Sequence, residues 1–401
     1  MTVGYSLAAA TANATTVVRL LLRWHGSVWQ LIYRESVVWI LLNAFASCIY
    51  LFIVKDSSFD DAYKRFLYKM DSLPIEMTLI FLLSFSTSTN LTRWHATFGL
   101  LVWPENVAMM FNVHFKDSAV SPNVALRIRR TIVRYLMLAY ILLLRDVSSN
   151  IRIHWFPTME KIVECGLLTS QELSLMRSSR MKRTACHYWI PFLWILQIVK
   201  KRYRKQNKKA SVMTEEGYDQ FVEEIISTRG TLGDILSYDW VPLPLALTQT
   251  ITFFVYCTLF GNIFRLQSRI ILQYKTNSHA EAIIVQGISN CFLNVLYIAW
   301  LRISQVIVNP FGEDPDDFEA EYLLERHCEV LNTMLCSPQE EVPFAYKKPA
   351  EDVLPHTLAS VLIGSRCSGT MVASTQAISQ NMRKEDKKVV YFNPIEQKKN
   401  Q

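Results

Sequence analysis

The 401-residue chain contains no P-loop, no GxGxxG, no HExxH and no GxSxG. These absences remove phosphate-cradling loops, zinc-peptidase helices and serine-hydrolase elbows as readings, and the eight histidines are scattered instead of spaced as ligands. An enzyme is not expected. The eight cysteines, Cys48, Cys165, Cys186, Cys257, Cys291, Cys328, Cys336 and Cys367, form no CxxC pair and no zinc spacing. That pattern predicts free, mostly buried thiols in a reducing compartment. There is no internal repeat, and the first thirty residues lack a basic start followed by an apolar block and a cut site, so a cytosolic N-terminus is expected.

The most telling absence is charge within long stretches. Val241 to Phe264 runs 24 residues without an ionisable carboxylate, Lys or Arg; Ala282 to Leu301 has none either; and Val37 to Val54 is apolar except for Asn43 and Ser47. Each approaches or exceeds the roughly 20 residues a spanning helix needs. Pro74 to Leu91 is a fourth, less hydrophobic candidate. Its second half, Ser84-Phe85-Ser86-Thr87-Ser88-Thr89-Asn90, is rich in hydroxyls, which predicts a helix facing protein or water instead of lipid. Arg19, Arg23 and Arg34 precede the first span, and four spans would return the C-terminal part to the cytosol, in keeping with the positive-inside tendency. The net charge of +7 is modest for one chain, but in a cyclic oligomer it would multiply and favour anions.

Between His95 and Asp239 the pattern is that of helices with mixed faces. Thr169 with Glu172 three residues later reads as a capping box, and Trp189 to Ile195 is apolar but too short to span, so it is expected to be buried or interfacial. Lys200 to Lys209 holds seven basic residues in ten, which fits a solvated loop, anionic lipid or an anion vestibule; beside membrane spans, nucleic acid is not an expected partner. After about Ser337 the composition turns to Pro, Ser, Gln and Lys, an extended tail. The expected organisation is therefore a cytosolic segment 1–30, membrane helices one and two in 31–95, a cytosolic helical region 96–240, membrane helices three and four in 241–305, an acidic segment with its following helix 306–336, and a tail 337–401.

Asn309-Pro310-Phe311-Gly312-Glu313-Asp314-Pro315-Asp316-Asp317-Phe318-Glu319 follows the last apolar run. Calcium takes hard oxygen ligands from carboxylates and carbonyls, and Asp314, Asp316 and Asp317 suit it, although the EF-hand spacing is absent. The same residues also read as a helix start, with Asp314 as N-cap, Pro315 at the first position and the helix running to Met334. Met77, Phe81 and Phe85 recur every four residues and form one face, either core packing or a bulky constriction that gates by dewetting.

These residues resemble the bestrophins, a family of calcium-activated anion channels. The acidic segment is similar to the family signature except at Pro315, and further similarities run in family order: Arg19-Leu20-Leu21-Leu22, Trp24, Gly26-Ser27, Thr92-Arg93-Trp94, Trp103-Pro104, Arg134-Tyr135, Phe156-Pro157 and Tyr238-Asp239-Trp240. The resemblance implies an all-α polytopic membrane protein with four transmembrane helices and a large helical cytosolic region, assembled as a homopentamer around a central pore. It implies calcium as cofactor, held by the carboxylates of Asp314 and Asp317 and the carbonyls of Ala10, Val306 and Asn309. Counting back from Thr92-Arg93-Trp94 places the family's pore neck at Met77, Phe81 and Phe85. Counting back from Tyr238-Asp239-Trp240 places the cytosolic aperture at Glu216, with Val212 or Met213 as the alternative if the register shifts. Ser365 to Thr370 is loosely similar to the family's inhibitory strap. The implied function is a calcium-activated channel for chloride and other small anions in a lipid bilayer, expected in the plasma membrane with both termini cytosolic. The alternative is a non-conducting calcium-sensing scaffold, or a channel of altered selectivity.

Overall fold

The computed structural model describes residues 9–10, 13–55, 57–71, 76–178, 186–204, 211–275, 280–336, 355–357 and 389–391. The chain divides into two compact units, one of Met1–Thr2 with Trp24–Ser337, the other of Val3–Arg23 with Pro338–Gln401. In the second unit the described elements are helix α1 (Ala14–Leu21) and an antiparallel pair of three-residue strands, β1 (Pro355–Thr357) and β2 (Val389–Tyr391), with His356 opposite Val390. Ser365 to Thr370 lies outside the described residues.

The first unit is helical and has two cores. α2 (Val28–Ile49, continued by a π-turn to Val54), α3 (Asp60–Asp71), α4 (Glu76–Gly99), α11 (Leu245–Lys275) and α12 (Ala280–Val306) form the first. Three described stretches are long and apolar enough to cross a membrane: Val28–Val54, Leu245–Ile271 and Ile284–Val306, with mean hydropathies of 2.4, 1.3 and 1.5. α2 opens at Gly26, whose φ of +67° suits a residue without Cβ, and the turn is tied by Ser27 Oγ donating to the Trp24 carbonyl at 2.7 Å. Once formed, α2 is apolar nearly all round, and Val37, Val38, Leu41 and Phe45 are exposed, as expected of a lipid-facing helix.

α4, the hydroxyl-rich helix, is long enough to span at 24 residues but is not in that apolar set. Leu79 and Leu83 are fully buried against α11 and α12, together with Ile251, Val255, Leu259 and Ile298. Lipid supplies little hydrophobic drive between helices, so polar contacts and close packing contribute to this bundle. Asn90 Nδ2 donates to the Ser304 carbonyl at 2.7 Å and Ser86 Oγ lies 3.0 Å from Ser304 Oγ, clamping α4 to α12; Asn262 Nδ2 donates to Asn294 Oδ1 at 2.8 Å, joining α11 to α12.

The second core surrounds α6 (Pro122–Val147), which starts with Ser121 as N-cap residue and Pro122 at the first position. Its continuous buried run from Tyr135 to Leu144 makes it a central helix enclosed on all sides. Around it pack α5 (Glu105–His114), α9 (Trp189–Arg204), α10 (Glu215–Trp240) and α13 (Ala320–Cys336); the short α7 (Met159–Glu164) and α8 (Ser170–Ser178) complete the bundle. Ile190, Phe192 and Ile195 are buried in this core, which settles the short apolar run as packing. The capping box forms as read: Glu172 N donates to Thr169 Oγ1 at 3.2 Å and Thr169 N to Glu172 Oε2 at 2.9 Å.

Two readings are corrected. Asp314 and Pro315 do not begin a helix, because α13 starts only at Ala320 and the residues before it form turns. The seven described cysteines are free, as expected, but none is buried, and Cys48 and Cys257 are exposed on apolar spans.

Glu172 also ties α8 to α6. Arg134 reaches it with two bonds of 2.6 and 2.7 Å, and the Tyr135 hydroxyl donates at 2.6 Å. Burial alone would raise this carboxyl, but the bonds from Arg134, Tyr135 and Thr169 outweigh it and hold it at about 2. The folded value lies below the ordinary 4.5, so the contribution to stability is complete above that pH and disappears as pH falls toward 2. Glu172→Gln is expected to cost about 1–3 kcal/mol at neutral pH and to flatten the acid limb of a thermal-unfolding profile; an unchanged limb would contradict this role.

Candidate functional site

The acidic segment leaves α12 by gradual unwinding: Val308 N donates to the Gln305 carbonyl at 3.3 Å and Asn309 N to the Val306 carbonyl at 3.4 Å. It then closes on itself. Asp317 N donates to the Asp314 carbonyl at 3.1 Å, Asp314 N donates back to Asp317 Oδ2 at 2.7 Å, and Phe318 N donates to the Pro310 carbonyl at 2.8 Å. Gly312 lines the inside of this turn. A Cβ there would stand 2.6 Å from Asp317 Oδ2 and 3.3 Å from Asn309 Nδ2, so only glycine lets these side chains approach.

Asp317 is 7% exposed. Burial, reinforced by the charges of Asp314 and Asp316 and opposed by the Asp314 amide, pushes its carboxyl up to about 6. Burial and Asp314 raise Asp316 as well. Beside the turn is an open polar cleft of about 240 Å³ lined by Gly312, Glu313, Asp314, Asp317, Glu319 and Glu321, with Asn150 and His154 on the far wall. His154 Nε2 is 4.0 Å from Glu313 Oε1 and Asn150 Nδ2 donates to Glu321 Oε2 at 3.3 Å.

Crowded carboxylates whose charged forms are disfavoured fit a hard cation. Among the described residues no group of three or more His, Cys, Asp or Glu side chains is arranged to hold a metal, so such a cation would need backbone carbonyls as well. Val306, Asn309, Asp314 and Asp317 lie together in this one segment. Ala10 is exposed and belongs to the other unit.

The acidic turn is joined to α4 through Phe318. Its ring centroid lies 4.9 Å from Trp94 and 5.1 Å from Phe98, both on α4, and 5.5 Å from Phe311 within the segment. Further up α4, Phe81 is 69% and Phe85 53% exposed, on the face opposite buried Leu79 and Leu83. Met77 lies in α4, but its side chain is outside the described residues. Next to Trp94, α4 is fastened to α10 by Arg93, which donates to the Tyr238 carbonyl and stands 5.1 Å over the Tyr238 ring.

Glu216 is exposed in the first turn of α10, behind the Thr214 N-cap, whose Oγ1 accepts from Gly217 N at 3.1 Å. Val212 and Met213 are each only 1% exposed and pack in the second core. Lys205 to Lys209 of the basic run lie outside the described residues.

Sequence reading missed Phe318 and Trp94 as partners, since aromatic pairing across 224 positions leaves no periodic trace; the aromatic at the end of the acidic motif was the available signal. It also missed the Asn90 and Ser304 clamp.

Apolar spans, a hydroxyl-bearing helix with one uncovered face, a second buried helical core and an acidic turn behind the last span define an all-helical polytopic membrane protein. The chain belongs to the bestrophin family: the family described as "Bestrophin, RFP-TM, chloride channel" matches residues 1–337. Bestrophin homolog 22 of Caenorhabditis elegans is 30% identical over 327 residues, covering 82% of this chain and 63% of the relative. Human Bestrophin-3 is 30% identical over 336 residues, covering 82% of this chain and 48% of the relative, so this chain spans only about half to two thirds of these two relatives' length. A bacterial bestrophin homolog from Klebsiella pneumoniae has the same fold at a TM-score of 0.55 and 14% identity, over 77% of this chain and 100% of that one.

Gly312→Ala is expected to open the turn, at a cost of about 1–3 kcal/mol, read as faster proteolytic cleavage between residues 309 and 319 with the rest of the chain still protected. Unchanged cleavage there would show that the turn does not depend on this glycine.

Proposed function

We propose that this chain is the subunit of a calcium-activated chloride channel, with five copies around a central pore in the plasma membrane and both termini in the cytosol. The supporting observation is the Phe318 contact, which links an acidic turn suited to a divalent cation directly to the helix with the exposed Phe81 and Phe85 face.

Calcium would be held by the carboxylates of Asp314 and Asp317 and the carbonyls of Ala10, Val306 and Asn309; when bound it supplies positive charge that relieves the crowding of carboxylates. The chain's own part is mechanical. The Asp314–Asp317 turn fixes Phe318, Phe318 bears on Trp94 and Phe98, and a displacement of the turn reaches α4 through one layer of rings. Phe85 and Phe81 lie 9 and 13 residues from Trp94 on the same helix, about 14 and 20 Å along its axis. Met77, Phe81 and Phe85 from five subunits form the neck, and a ring of bulky apolar side chains closes a pore by excluding water. Chloride and other small monovalent anions pass when α4 turns these rings off the axis. Calcium shifts this balance only as far as it binds the open form more tightly.

Glu216 favours a second reading, a channel with restricted or altered anion selectivity or a non-conducting calcium-sensing scaffold. An exposed carboxylate repeated five times at a narrow exit repels anions by Coulomb interaction.

Reconstituted in a planar bilayer, the protein is expected to carry a calcium-dependent current whose reversal potential follows the chloride gradient. The double variant Asp314→Asn, Asp317→Asn is expected to raise the calcium needed for half-activation by about tenfold or more, a loss of about 1.4 kcal/mol, with assembly retained by size-exclusion chromatography. Glu216→Ala is expected to increase the chloride current. Silence of wild type and of Glu216→Ala alike would favour the scaffold, and a current indifferent to the two aspartates would refute the calcium assignment.

A further inference from the structure

The second core contains an ionisable cluster that the channel reading leaves unused. Glu105, at the first turn of α5, is 8% exposed, and His327 of α13 is 2% exposed. Arg326 Nη1 donates to Glu105 Oε1 and also lies 3.4 Å from His327 Nδ1. A guanidinium only donates, so this contact is a hydrogen bond only while Nδ1 carries no proton. His327 Nδ1 also faces Glu105 Oε2 at 3.8 Å, and that buried oxygen has no hydrogen-bond partner. Aromatic walls complete the enclosure: Trp103 meets the imidazole edge-on at 5.7 Å and Tyr140 of α6 at 5.3 Å, and the Arg326 guanidinium lies 4.3 Å over the Trp103 ring.

We propose that the cluster of His327, Glu105 and Arg326 is a proton-operated latch that positions α13 and, through its first turn, the acidic segment. It has two hydrogen-bond arrangements. In one, Nδ1 accepts from Arg326. In the other, a proton taken from solvent makes Nδ1 a donor, the Arg326 bond is lost, and the imidazolium turns toward Glu105 Oε2. α13 begins two residues after Phe318, with Ala320 N donating to the Phe318 carbonyl at 2.8 Å, so a shift of α13 is carried into the ring contact with α4.

The charged and titratable groups facing His327 are Glu105 from α5, Arg326 on its own helix and the Tyr140 phenol from α6. Burial lowers the proton affinity of His327; Glu105 opposes this and Arg326 adds to it. Its folded value thus lies below the ordinary 6.5, so α13 is fully held above that pH and loosens as pH falls beneath it. His327 is a positioning residue and touches no permeant ion.

The test is amide hydrogen exchange of the full-length protein in detergent micelles, comparing wild type with His327→Gln at pH 7.5 and again at pH 5.5. Glutamine keeps an acceptor for Arg326 but takes up no proton. The expected result is equal protection of residues 320–336 at pH 7.5 and about tenfold weaker protection in wild type than in the variant at pH 5.5. Equal protection at both values overturns the latch. Should the glutamine variant fail to fold, Glu105→Gln serves: without the carboxylate facing it, the wild-type acid loss of protection is expected to change by at least threefold, and an identical acid response in that variant overturns the latch equally. A second readout rests on the channel reading: the rise in calcium needed for half-activation between pH 7.5 and pH 6.0 is expected to be at least threefold larger in wild type than in His327→Gln, which keeps only the part that comes from protonation of Asp317. Exchange that follows this pattern without any calcium-dependent current supports the latch and removes the channel reading, so the two fail separately.

Discussion

The contact of Phe318 with Trp94 and Phe98 is the constraint on which the functional arrangement rests. It is the described side-chain link between a segment rich in carboxylates and a helix that leaves two large aromatic rings uncovered. Aromatic pairs of this kind contribute about 0.5–1.5 kcal/mol beyond the area they bury. That is small beside the stability of the bundle but comparable to the energies that shift a two-state gate. A link of this strength transmits a bias without locking α4.

α4 has to satisfy two opposing demands. It leaves a face with Phe81 and Phe85 uncovered, yet it has to stay in place among apolar spans. The Asn90 and Ser304 bonds meet the second demand on one side of the helix, and the exposed Phe81 and Phe85 lie on the other. The same clamp sets α4 against the end of α12, from which the acidic segment unwinds. Ring contact and amide clamp therefore both connect α4 to the stretch between Ser304 and Phe318.

Much of this was legible in the residues. Blocks without charge gave the apolar spans, the four-residue spacing of Phe81 and Phe85 gave one face of one helix, and Thr169 with Glu172 gave a helix start that is present as read. The helix assigned to Asp314 and Pro315 was wrong for a physical reason: Asp317 folds back onto the Asp314 amide and Phe318 onto the Pro310 carbonyl, so competing side-chain and tertiary bonds override a good capping sequence. Long-range pairs such as Phe318 with Trp94, Asn90 with Ser304 and Glu105 with Arg326 were not legible, since each joins residues more than 200 positions apart. Nor did spacing show that Glu216 is exposed while Val212 and Met213 are buried, a difference that only the folded chain contains.

The most direct test of the central claim is a double-mutant cycle on the calcium concentration for half-activation, using Phe318→Leu, Trp94→Leu and the pair together. If the rings transmit the state of the acidic turn, the combined effect falls short of the sum of the two single effects by about 1 kcal/mol or more. Additive effects within about 0.3 kcal/mol would mean that the turn and the helix act independently, and would contradict the account.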